Sequence, residues 1–138
     1  MPIVEPEVLM RGDHTLARCG EITEDVLRAL FYNLHTPRVA LQALILKPNM
    51  VLPGSGAAER PSAAEVADAT LACLLRTVPA AVPGIAFLSG GQSGELASTR
   101  LNALNRSSRA FAPWPLGFSF GRAIQQPALG IWHARTPT

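Results

Sequence analysis

Four short apolar runs, each closing on a polar residue or a glycine and each followed by a stretch that reads as a helix, restrict what this chain can fold into. They lie at 2–7 (PIVEPE), 39–47 (VALQALILK), 84–91 (GIAFLSGG) and 115–122 (PLGFSFGR). A continuous apolar run of this length reads as a strand buried on both faces, the kind that parallel sheets are built from. Parallel strands need a crossover, and an intervening helix supplies it. The expectation is therefore an α/β fold with about four strand–helix units.

The intervening segments carry helix signals of unequal strength. Over 22–37, Ile22, Val26, Leu27, Leu30, Phe31 and Leu34 share one face, with Thr23 the expected cap, Glu24 and Asp25 at the positive end, and Pro37 the stop. The residues before it, 8–21, show little periodicity and are expected to be loop. Ser62 and Glu65 form a capping box that opens a helix running to Val78, closed by Pro79 and Pro83. A weaker helix is expected over 93–106, capped by Ser93 and burdened by Gly94, and a short one over 123–134, curtailed by Pro127 and Gly130.

The totals exclude several functions. The chain's 138 residues suffice for one domain spanning 1–138, and 48% hydrophobic content sets it apart from disordered sequences. The net charge of +2 is scattered, and the few aromatics are not interleaved with arginine, so no nucleic-acid partner is expected. Cys19 and Cys73 have no CxxC partner and the three histidines complete no zinc pattern, so no metal is expected and both thiols read as buried in a reducing compartment. The N-terminus lacks the marks of a secretory leader, and no apolar run reaches the ~20 residues that span a bilayer. A cytoplasmic location with no membrane contact is the expectation.

The polar residues at the ends of the four runs are Glu5, Lys47, Ser89, then Ser119 and Arg122. All fall at carboxyl ends of expected strands, where (β/α) barrels and open α/β sheets build their sites. A lone strand-end lysine more often just reaches water. At a barrel mouth, its amine can attack a carbonyl and form a Schiff base. A carboxyl such as Glu5 can then move the proton that lets water leave. LSGGQSGE and FSFGR read together as a phosphate cradle, with glycines for close backbone approach, serine donors, a helix start, and the forked guanidinium of Arg122.

PIVEPE, LILKPNM, RTVPAAVPGIAFLSGGQS, LNALNR and FSFGRA, in this order, resemble the class I (Schiff-base) fructose-bisphosphate aldolases over 2–132. The resemblance implies a partial (β/α)8 TIM barrel, about the last four β/α units, forming the C-terminal half of such an enzyme. It puts the imine-forming lysine at Lys47 and the proton-transferring glutamate at Glu5. The substrate phosphate would lie on Ser89, Gly90, Ser119, Gly121 and Arg122. It implies reversible cleavage of fructose 1,6-bisphosphate in glycolysis, with no cofactor and no metal. Sequence departures include Gln42-Ala43 for a Glu-Gly pair, Leu44 for threonine, Gly94-Glu95-Leu96 for an acidic run and Phe120 for tyrosine. An aspartate and two lysines of the family belong to its other half. The expected partners are a sugar phosphate and either a complementing N-terminal half or a second copy. The alternative is an inactive remnant that binds sugar phosphates or pairs with another half-barrel chain.

Overall fold

A computed structural model describes residues 1–134. Its elements run β1 (Ile3–Val4), α1 (Leu16–His35), β2 (Ile45–Leu46), α2 (Ala63–Thr77), β3 (Ile85–Phe87), α3 (Gly94–Ser108), β4 (Leu116–Phe118) and α4 (Arg122–Ala134). The strands form one parallel sheet in the order β1-β2-β3-β4. Val4 is in register with Leu46, Leu46 with Ile85, and Phe87 with Phe118. Residues in register face the same side, and alternate residues face opposite sides. One side of the sheet packs under the helices. There Leu27, Leu46, Val66, Leu74, Ile85, Phe87 and Leu104 are almost wholly buried, each such side chain contributing about 1.5–3 kcal/mol on leaving water.

The strands are shorter than expected. The run 39–47 pairs only at Ile45–Leu46, because Leu41–Ala43 winds into a turn of 3-10 helix and Leu44 enters the core. Hydrogen bonding nevertheless continues past the strand ends, Lys47 N donating to Val4 O (2.8 Å), Leu88 N to Pro48 O (3.1 Å) and Ser119 N to Phe87 O (2.9 Å). These bonds fix the segments that follow each strand.

One helix departs from expectation at its start. α1 begins six residues early, at Leu16, with the Thr15 hydroxyl accepting from Arg18 N (3.1 Å). Thr23, the expected cap, is buried inside it. α4 runs from Arg122 through Pro127 and Gly130 to Ala134, within one residue of the expected 123–134. Pro127 lies early in the helix and removes only the bond to Ala123 O. That carbonyl faces Gly94, where a Cβ would come within 3.0 Å of it, so Gly94 admits close approach of α4 to the start of α3. The other two helices follow the sequence closely, α2 with its Ser62–Glu65 capping box and α3 with the Ser93 hydroxyl accepting from Leu96 N.

Candidate active site

Glu5 and Lys47 each stand one residue beyond a strand end, on adjacent strands whose register makes them neighbours. Lys47 Nζ lies 3.0 Å from Glu5 Oε1, with the lysine side chain 17% exposed and the glutamate 48%. An opposite charge at this distance holds the amine in place and gives it a proton acceptor. β3 delivers Ser89 and Gly90, and β4 delivers Ser119, Gly121 and Arg122. All seven sequence-predicted residues line one cleft of about 200 Å³ at this end of the sheet.

Local chemistry explains the cradle's shape. Gly90 and Gly91 have φ of +57° and +77°, a left-handed pair that L side chains rarely adopt. Ser89 is buried, and its carbonyl accepts from Gln92 N (3.1 Å) and Gln92 Nε2 (2.9 Å), which closes the turn. Gly121 O accepts from Ile124 N and Gln125 N (both 3.1 Å), so Arg122 stands at the first position of α4. Free amides at a helix start favour an anion.

Sequence reasoning missed Glu7 and Leu88, which also line the cleft. Glu7 had a signal: it is two residues past Glu5, the spacing of one face of an extended chain. It also missed the scaffold behind Lys47. Asn49, 2% exposed, accepts from Val8 N through Oδ1 (3.0 Å) and donates through Nδ2 to Thr23 Oγ1 (3.2 Å) and Met50 O (3.0 Å). Val51 N donates to Thr70 Oγ1 (3.0 Å) and Leu52 N to Cys19 Sγ (3.4 Å). The segment after Lys47 is thus bonded to α1, to α2 and to the exit of β1. Farther along, Gly54 N donates to His14 O, Ser55 N to Met10 O and Gly56 N to Gly12 O. A Cβ on Gly54 would fall 2.3 Å from Gly12 O, so this seam between loops admits only glycine there.

The sequence model for class-I fructose-bisphosphate aldolase matches residues 1–138. The chain is 54% identical to fructose-bisphosphate aldolase B of Gallus gallus over 132 residues, 96% of this chain and 36% of that one. It is 50% identical to a probable fructose-bisphosphate aldolase class 1 of Xanthomonas campestris pv. campestris over 132 residues, 96% of this chain and 39% of that one. The solved fructose-bisphosphate aldolase of Plasmodium falciparum superposes with a TM-score of 0.90 at 43% identity, covering 98% of this chain and 38% of that one. The chain thus spans less than two-fifths of the length of these relatives, and its four strand–helix units fit half of the family's barrel. On sequence and fold together, the chain belongs to the class-I fructose-bisphosphate aldolase family.

Proposed function

We propose that this chain carries the imine-forming part of an aldolase site, in which Lys47 bonds to the ketone carbon of a sugar phosphate whose phosphate rests on Ser89, Gly90, Ser119, Gly121 and Arg122. The observation that carries this reading is the 3.0 Å approach of Lys47 Nζ to Glu5 Oε1 at the wall of the cleft those residues line. Glu5 takes a proton from the ammonium, and the freed amine adds to the carbonyl. Glu5 returns a proton to the carbinolamine hydroxyl, water leaves, and an iminium remains. With fructose 1,6-bisphosphate the iminium accepts the electron pair of the bond that breaks, releasing glyceraldehyde 3-phosphate. The enamine left on Lys47 takes up a proton and is hydrolysed to dihydroxyacetone phosphate, and the whole sequence is reversible.

Complete turnover in glycolysis belongs to the assembled barrel. The residues that the family resemblance assigns to the other half, an aspartate and two lysines, handle the remaining proton and the second phosphate. A complementing N-terminal half supplies them.

Imine formation is testable on this chain. Lys47 is its one lysine. Dihydroxyacetone phosphate with borohydride is expected to add one reduced adduct on the peptide containing Lys47, and Lys47→Met to abolish it. A folded chain that takes no label at Lys47 would instead be the inactive remnant.

A further inference from the structure

A second cleft, of about 270 Å³, lies on another side of the Gly90–Gly91 turn, lined among others by Ser55, Glu59, Arg60, Gln92 and Arg100. Gly90 borders both clefts, but none of these five side chains lines the Lys47 cleft. Arg100 projects from α3 and is mostly enclosed. One guanidinium nitrogen, Nη1, donates to Gln92 Oε1 (2.8 Å), a neutral acceptor. Its Nε–H is buried and meets no acceptor. Among the described residues Arg100 makes no ion pair. Loss of water pulls it below the ordinary arginine value, so the fold keeps a cation where its charge is disfavoured.

The other groups in the cleft do not answer that charge. Glu59, its carboxylate, accepts from Leu16 N (2.7 Å) at the start of α1. Arg60 adds a second guanidinium, with one nitrogen held by the carbonyls of Ala57 and Glu59. Gly91 leaves open space where a side chain would stand. Two guanidiniums against one committed carboxylate leave a net positive cleft, and planar forked donors match the oxygens of a phosphate.

We propose that this cleft is a second anion site, in which Arg100, assisted by Arg60, binds the phosphoryl group of a phosphate ester independently of the Lys47 cleft. The inference does not depend on the aldolase reading, since Arg122 serves one cleft and Arg100 the other.

Inorganic phosphate is the probe. In the 138-residue chain labelled with 15N-arginine, the enclosed Arg100 Nε–H is expected to shift on phosphate titration. The shift should persist in Arg122→Ala with its midpoint unchanged. Calorimetry should count one phosphate fewer on Arg100→Gln than on the parent chain, and Arg60→Gln should weaken that site at least about tenfold. An Arg100 resonance that stays still while Arg122 responds, or that loses its response in Arg122→Ala, would overturn the proposal. Both readouts come from chains that retain Arg100, so poor folding of Arg100→Gln would leave the test intact. Loss of only the Arg122 response would count against the Lys47 cleft alone.

Discussion

Asn49 shows how a residue outside the Lys47 cleft holds the segment that carries Lys47. Its amide joins the exit of β1, the middle of α1 and the chain just past Lys47. Asn49→Ala leaves the half-buried Val8 amide and the buried Thr23 hydroxyl without this partner, at a cost of about 1–3 kcal/mol. The urea midpoint is expected to fall accordingly, and borohydride trapping at Lys47 to slow even where the chain stays folded. Nothing near Asn49 in the chain announces this role, because its partners Val8 and Thr23 lie 41 and 26 positions away. That Glu5, Lys47, Ser89 and Arg122 gather in one cleft was legible for the opposite reason: a strand ending is a local pattern, and parallel strands bring their endings to one edge. The cysteines read correctly as buried, and Cys73 is pushed up to about 12, chiefly by burial and then by the charge of Glu24. The bond from Leu52 N to Cys19 Sγ was not legible, since it spans 33 positions.

Among the elements, α2 was legible nearly to the residue because its capping box is a short-range signal. α1 was not, because Thr15 lacks the acidic residue that would complete such a box and Gly20 interrupts the apolar spacing. A Cβ at Gly20 would stand 3.6 Å from Val51, an ordinary contact, so packing there does not require glycine. α1 and α2 are also joined by charge, Arg76 Nε of α2 donating to Glu24 Oε1 (2.6 Å), while within α1 Arg28 Nη2 donates to Glu24 Oε2 (2.7 Å). The Arg76 hydrogen bond, outweighing the opposing effect of burial, holds the Glu24 carboxyl below the usual value of 4.5. A carboxyl depressed in the folded state binds protons more readily once unfolded, so its contribution is full above about pH 4.5 and is lost as pH falls through the folded value. Arg76 is 56% exposed, and screening keeps the contribution under about 1 kcal/mol. Melting temperatures measured from pH 7 downward should therefore drop less steeply in Glu24→Gln than in the parent chain, and parallel curves would reject the assignment.

At the scale of the molecule, among the described residues the sheet has two unpaired edges, β1 and β4. Beside them lies apolar surface: Ile3 is 57% exposed, Phe118 59%, and Ile124 and Ile131 of α4 55% and 58%. The contrast with Phe87, in register with Phe118 yet fully buried, marks where the next unit of a barrel would sit. Closing a barrel gives every strand two neighbours. We expect the isolated chain to self-associate, a two-fold axis along the strands letting β4 of one copy meet β1 of the other twice. Sedimentation across a hundredfold range of concentration should show mass rising, and Ile131→Lys should shift that rise to higher concentration. A sharp, concentration-independent monomer would defeat the expectation. Strand order and direction were legible from the alternation of units; edge exposure followed from their number. Strand lengths were not, since an apolar run such as 39–47 does not reveal how much of itself will pair.

The sequence-ordered sheet also bears on how the chain is made and how it breathes. Among the described residues each strand pairs with the strands before and after it in the chain, so a unit emerging during synthesis finds its partner already present and need not wait for a distant segment. Opening should begin at the two edges of the sheet. Amides of β2, β3 and α2, flanked on both sides, are expected to exchange with solvent slowest, and those of β1 and α4, flanked on one side, to exchange first.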